Sequence, residues 1–221
     1  MSEEEAEQAR RLFSEKIVHN CAPTLAALKP AGLFTVHFAE ARSCSACEEE
    51  RCNRLCRAGL AHALHAAREQ LEQAGVEVRI LALRPGNALV LVYRPSLVDR
   101  VLANARTAAY LRGLRYDTTS QRNCIDEVAR RIRACDKAEG TKHSAFPHEI
   151  GFLLGYPHDD VVAFIEGGQD CLCTGCWKVF GDECSAQTCF DTYRRCVRKM
   201  DTMHAAGMSL AALAHPIPIA S

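Results

Sequence analysis

The sequence predicts an α+β protein: a small three-stranded antiparallel or mixed sheet of split βαβ type, covered by helices, then a helical C-terminal half carrying a cysteine-rich loop. Three observations carry this. Residues 33–93 read strand, helix, strand, strand, with a turn sequence between the last two. After Pro95 the chain has helical spacing, with prolines and glycines where helices start and stop. The 221 residues are 48% hydrophobic and 24% charged, which suits a globular chain long enough for a real core. We expect one domain over 1–221, with a sheet-bearing part at 1–113, a helical part at 114–206 and a tail at 207–221.

The elements follow in order. Residues 3–19 put Ala9, Leu12, Phe13 and Ile17 on one helical face, and Cys21-Ala22-Pro23-Thr24 is expected to break that helix. Residues 33–38 alternate as a short strand. A helix over 49–74 carries the stripe Cys52, Cys56, Leu60, Leu64, Ala67 and Leu71, and Gly75 stops it. Strands at 76–83 and 88–93 flank Arg84-Pro85-Gly86-Asn87. Pro-Gly suits the centre of a type II turn, so a loop longer than the two-residue primed form is expected. Helices are expected at 96–113, 120–138, 147–154, 158–166 and 184–206, and 214–221 reads as a loose tail.

Charge narrows the partners. The 27 Lys+Arg balance the 27 Asp+Glu, so there is no global field to hold a phosphate backbone and nucleic acid is not an expected partner. Arg130, Arg131 and Arg133 read as a solvated helix face. No apolar run reaches the roughly 18–20 residues that span a bilayer. The acidic start Met1-Ser2-Glu3-Glu4-Glu5 lacks the basic and apolar segments of a secretory signal, so the expected location is cytoplasmic, away from membranes. Thiols there stay reduced, and the 13 cysteines read first as metal ligands or redox groups.

Two clusters stand out. Cys44, Cys47, Cys52 and Cys56, with His62 and His65 beyond them, offer two loop thiolates and two helical ligands one turn apart, as a zinc site needs. Cys52 and Cys56 also continue the apolar stripe, so burial is the competing reading. In Cys171-Leu172-Cys173-Thr174-Gly175-Cys176-Trp177, after Gly167-Gly168, three thiols lie in a loop with no periodicity and can converge on a metal or form a thiol pair. Lys178 beside them can lower a thiolate's pKa, and Cys184 can add a fourth ligand. Cys189 and Cys196 fall on a helical stripe with Tyr193, Met200 and Met203 and read as core; Cys124 and Cys135 read as filler.

The stretch from Phe146 to Pro157 is the least generic. His148 and Glu149 are expected in the first turn of a helix, where a carboxylate complements the helix dipole and a histidine can move a proton. It is not a zincin motif, because Phe152 stands where the second histidine belongs. A capping glutamate and a hydrogen-bonded histidine are the structural alternative.

Taken with His19-Asn20-Cys21-Ala22-Pro23-Thr24-Leu25, Leu33-Phe34, Val92-Tyr93-Arg94-Pro95-Ser96 and the run from Cys171 to Asp182, this stretch resembles an uncharacterised bacterial family, domain of unknown function 3793, typical of anaerobes. The resemblance covers most of residues 17–200. It implies no activity, but its matched positions include Cys21, His148, Glu149, Cys171, Cys176 and Lys178. By the same resemblance the Cys44–Cys56 run is an elaboration, and Phe180 stands where a tyrosine is expected.

The resulting expectation is a cytosolic metal- or iron–sulfur-binding redox protein that works with a redox partner protein. Cys171, Cys173, Cys176 and Cys21 are its expected ligands, with a second ligand set at Cys44, Cys47, Cys52 and Cys56. His148, Glu149 and Lys178 are the expected catalytic groups. A protein with purely structural zinc, and a metal-free thiol enzyme with His148 as base, are the alternatives. His148 and the Cys171–Cys176 loop are expected to border one concave site, with Cys21 on its rim.

Overall fold

The computed structural model describes residues 1–39, 55–137, 146–168 and 170–215. Helix α1 (Glu3–Leu25) opens with a capping box: the Ser2 hydroxyl accepts from the Glu5 amide, and the Glu5 carboxylate accepts from the Ser2 amide. The expected break at Cys21–Thr24 does not occur there. Residues Cys21 to Leu25 are all buried, and Pro23 lies inside the helix. A proline costs about 3 kcal/mol inside a helix, but each large apolar side chain buried in that turn returns about 1.5–3 kcal/mol. The helix then ends as the Pro23 carbonyl accepts from the Leu28 and Lys29 amides.

Strand β1 (Ala31–Ala39) is followed by β2 (Leu55–Cys56), helix α2 (Arg57–Glu72), β3 (Glu77–Arg84) and β4 (Asn87–Tyr93), and the sheet order is β2-β1-β4-β3. The three long strands are antiparallel, as expected, and β2 adds a two-residue parallel pairing at the end of β1. The helix expected from 49 starts only at Arg57, because Leu55 and Cys56 are held as strand; residues 49–54 lie outside the described residues.

The hairpin loop is shorter than expected. Arg84 pairs with Asn87, which leaves only Pro85 and Gly86 at the tip, with Gly86 at φ +74° as a type II turn requires. Such a turn splays strands, and the irregularity between Ile80 and Ala82 adds the local twist that re-aligns them. The Leu81 carbonyl at that bulge accepts from Arg133 at 2.9 Å.

Helices cover both faces of the sheet. One face packs Phe34, Val36, Val78, Val90 and Val92 against Phe13, Ile17 and Leu64 of α1 and α2. The other packs Leu81, Leu89, Leu91 and Tyr93 under the helices that follow. Strand β4 lies between its neighbours and is covered on both sides, so six of its seven residues are buried.

The expected helix 96–113 is two, α3 (Pro95–Ala103) and α4 (Ala105–Gly113). Asn104 separates them, since its side chain caps α4 by accepting from the Arg106 and Thr107 amides. Helix α5 (Gln121–Lys137) follows, then α6 (Ile150–Leu153) and α7 (His158–Ile165). The expected helix from 147 begins late, because the Ile150 amide bonds the Pro147 carbonyl in a tight turn through His148 and Glu149. Next come a hairpin of β5 (Cys173–Thr174) and β6 (Lys178–Val179), then α8 (Glu183–Ala205) and α9 (Leu210–Leu213). Helix α8 returns to the first face, where Cys196 and Met200 join the core with α1. No helix among the described residues is long and apolar enough to cross a membrane.

One buried residue ties these layers together. Arg94 is 8% exposed and donates to the carbonyls of Thr24, Leu25, Ala74 and Ala214. Those carbonyls close α1, follow α2 and cap α9. A guanidinium fixed there satisfies helix ends that carry partial negative charge.

Candidate functional site

The cysteine loop forms the β5–β6 hairpin, with Cys173 opposite Val179 and Thr174 opposite Lys178. Two anchors fix it. Asp160, buried in the first turn of α7, accepts from Trp177 Nε1 at 2.7 Å and from the Phe180 and Gly181 amides at 2.8 and 2.9 Å. Gly175 lies on the Phe190 ring of α8, where a Cβ would come within 2.3 Å of a ring carbon. Trp177 fills the space between, edge-on to Phe190 and stacked on Tyr156 at 5.1 Å.

On one side of Trp177 is a cavity of about 380 Å³. His148 and the hairpin residues Thr174, Gly175, Trp177 and Lys178 all border it, so His148 shares a concavity with part of the 171–176 loop, but Cys171, Cys173 and Cys176 are not among the residues that line it. Its wall includes Phe146 and Phe164; His148 meets both rings, at 5.6 and 4.9 Å, and Lys178 Nζ lies 5.5 Å from the Phe164 centroid. Glu149 turns away. It is buried, and its Oε1 accepts from the Tyr116 hydroxyl at 2.7 Å and from Arg131 at 3.0 Å. Cys21 is not on the rim: it is fully buried in the α1 core, so close to β1 that a Cβ on Gly32 would touch its sulfur.

Tyr156, stacked on Trp177, also borders a cluster centred on Lys29. Its ammonium lies 5.4 Å from the Tyr156 centroid and 5.8 Å from that of Tyr193. Burial lowers the Lys29 pKa, while Cys21, Cys176 and Cys189 act electrostatically to raise it. Cys176 is an exposed turn residue whose pKa burial raises and Lys29 lowers, with Cys189 a further raising neighbour. The juxtaposition follows from the packing: Gly175 lies on Phe190, which brings Cys176, the next residue in the turn, near enough to Cys189 for the two thiols to act on each other electrostatically. Tyr193 bonds to Cys189, and its pKa rises through burial and then through that bond. Burial pushes Cys21 up to about 12, so it is a thiol at any physiological pH.

The other expected ligands disperse. Cys171 and Cys173 neighbour each other; Cys171 Sγ is 3.8 Å from the Thr174 hydroxyl, and Cys173 meets Glu183 and Gln187 of α8. Among the described residues no three His, Cys, Asp or Glu side chains gather where they could hold a metal, and no disulfide joins two described cysteines. Cys44, Cys47 and Cys52 lie outside the described residues, as does the Cys56 side chain. His62 contacts Arg10 at 2.9 Å and His65 faces Glu69. Cys184 is exposed, while Cys196 and Cys124 are buried. The Arg130–Arg133 run is committed, to Glu127, Glu149 and the Leu81 carbonyl.

Three residues of the site escaped the sequence reading. Lys29 had one signal, a lone charge in the apolar stretch from Ala26 to Leu33. Cys189 was hidden by its place on a core-like stripe. Asp160, after Asp159 in a helix's first turn, looked like ordinary dipole compensation.

The sequence profile of the family described as "Protein of unknown function (DUF3793)" matches residues 17–214, from the middle of α1 through α9. No curated protein and no solved structure matches the chain. With the profile spanning both faces of the sheet, the cavity and the thiol cluster, the chain belongs to this family of proteins of unknown function.

Proposed function

We propose that the protein is a cytoplasmic thiol-based redox protein, in which Cys176 and Cys189 pass between dithiol and disulfide in exchange with a redox partner protein. The observation that carries it is Lys29: one half-buried ammonium, held between two tyrosine rings, acts on both thiols at once. The exposed Cys176 loses its proton and attacks one sulfur of the partner's disulfide. That S–S bond breaks, and the released partner thiolate takes up a proton. Cys189 then attacks the Cys176 sulfur, which frees the partner's second thiol. Two electrons have moved to the partner, and the protein holds one disulfide. Lys29 offsets the negative charge that forms on either sulfur.

The pKa direction sets the expected poise. Burial keeps the Cys176 thiolate from being strongly stabilised, and a dithiol without thiolate stabilisation is a poor oxidant and a good reductant. A reducing rather than an oxidising dithiol is expected. The test is equilibration of anaerobically reduced protein in glutathione buffers, then acid quenching, alkylation and peptide mass mapping. A Cys176–Cys189 disulfide is expected, and Cys189→Ser is expected to accumulate a mixed disulfide on Cys176. Oxidation that pairs other cysteines and spares these two would refute the reading.

A second reading, thiolate-bound zinc or an iron–sulfur cluster, is supported by Cys171, just before β5, which acts electrostatically on Cys173 at its start. Two thiolates are half of a four-ligand site. Metal analysis with an ultraviolet–visible spectrum separates the cases: a cluster absorbs visible light, zinc gives metal without colour, and the dithiol reading requires neither.

A further inference from the structure

We propose that the cavity between α6–α7 and the β5–β6 hairpin binds a small planar aromatic carboxylate. It stands apart from the thiol reading, because no thiol is among the groups that recognise the ligand.

The size is that of a small-molecule site, since ligand pockets start at about 300 Å³. The walls select a flat ring. Phe146, Phe164 and Trp177 line the space, and Gly151 packs so closely on Val161 and Tyr156 in its wall that a Cβ there would come within 3.0 Å of Val161. Aromatic pairs of this kind favour ring against ring beyond simple area burial.

The charges select an anion. Asp160 borders the cavity, but its two oxygens already accept three N–H groups of the hairpin. Those bonds engage its lone pairs and hold Trp177 in place without cancelling its charge, which leaves Lys178 at the mouth as the group that favours an anion. His148 and Lys178 are different: both are exposed, and the contacts of their side chains among the described residues are with aromatic rings. Lys178 offers three N–H donors and a full positive charge, and His148 an imidazole N–H. A carboxylate carried on a flat ring therefore finds donors at the mouth while the ring enters the apolar interior. A cationic ligand would meet like charge, and a neutral one would leave the ammonium without a counter-charge.

Trp177 is the only tryptophan in the chain and lines this cavity, so contact quenching of its emission reports a ring bound beside it. The experiment titrates the full chain with 4-nitrobenzoate, whose nitroaromatic ring quenches indole emission on contact, and with the neutral 4-nitrobenzamide as control. Saturable quenching with a Kd of about 1 mM or tighter is expected for the carboxylate, with the amide about tenfold weaker. Lys178→Met keeps the apolar contact with Phe164 and removes the charge; it is expected to weaken 4-nitrobenzoate about tenfold and leave the amide unchanged. Cys176→Ser is expected to leave both titrations unchanged. Absence of saturable quenching, equal affinity for acid and amide, or a Lys178→Met variant that keeps the preference would each overturn the proposal.

Discussion

The Arg94 junction and the β5–β6 hairpin are both built on a buried charge satisfied mainly by backbone, yet they leave different things behind. Arg94 spends its donors on four carbonyls at helix ends, and its surroundings are core on both sides of the sheet. Asp160 spends its acceptors on two amides and one indole, and the hairpin it holds leaves Lys178, Cys176 and the nearby His148 exposed. The difference teaches where to look for chemistry. A buried charge saturated by the scaffold is scaffold, and reactive groups stand one residue further out, on a segment fixed from below.

Breaking the first region is expected to give the largest effect. Arg94→Ala removes hydrogen bonds to four carbonyls, three of them in the core, at an expected cost of about 3–5 kcal/mol, read as a drop in urea midpoint at unchanged slope. Arg94→Lys is expected to recover little, because one ammonium cannot reach three helix ends. A loss below about 1 kcal/mol would place the junction's stability in apolar packing instead.

Asp160→Ala is expected to cost less, about 2–3 kcal/mol, because the freed amides lie near the surface and water can replace part of what is lost. Its signature is local: Trp177 emission shifts toward that of a solvent-exposed indole, whereas the Arg94 variants leave the native emission unchanged below their midpoints. Gly175→Ala drives a methyl into the Phe190 ring and is expected to cost about 1–3 kcal/mol, with the same fluorescence change. If Gly175→Ala is neutral, the hairpin is not seated on α8 and the meeting of Cys176 with Cys189 loses its basis.

The two regions were unequally legible. Much of the sheet and its helical cover could be read because the alternation in 33–38, the apolar run 88–93 and the glycines at 75, 86 and 155 are local signals. Errors fell where one contact outweighed the expected pattern, a distant one in the first case and a local cap in the second. Pro23 stays helical because its turn is buried under the sheet, and Asn104 splits a helix because its side chain does better as a cap. In the site, His148 and the hairpin were readable as a pair, since one short helix and tight glycine turns fold that stretch back on itself. Lys29 and Cys189 were not. Helical spacing tells which residues share a face, but the partner of that face is set by how α8 returns to α1 across the whole chain.

The smallest expected effect tests whether Lys29 tunes the thiols or merely packs. Burial raises the Cys176 pKa, and Lys29 is the largest opposing influence, ahead of Arg194. Removing the ammonium in Lys29→Met therefore raises that pKa further, and at fixed pH the thiolate fraction falls. Iodoacetamide reacts with thiolate, so alkylation of Cys176 at pH 8 is expected to slow about three- to tenfold. Cys184, exposed at the start of α8, is the internal control and keeps its rate. Because burial raises the folded pKa above the usual thiol value, the wild-type Cys176 rate is expected to keep rising with pH beyond the range where a free thiol levels off, and Lys29→Met extends that rise to higher pH. Lys29→Arg keeps the charge and the ring contacts, and is expected to restore most of the rate. A ratio of Cys176 to Cys184 alkylation that Lys29→Met leaves unchanged would make Lys29 a cation seated between Tyr156 and Tyr193 with no part in thiol chemistry. The measurement also separates the two burial regimes, because Cys21 faces the same lysine but is pushed up to about 12 by full burial and is expected to stay unmodified in every folded variant.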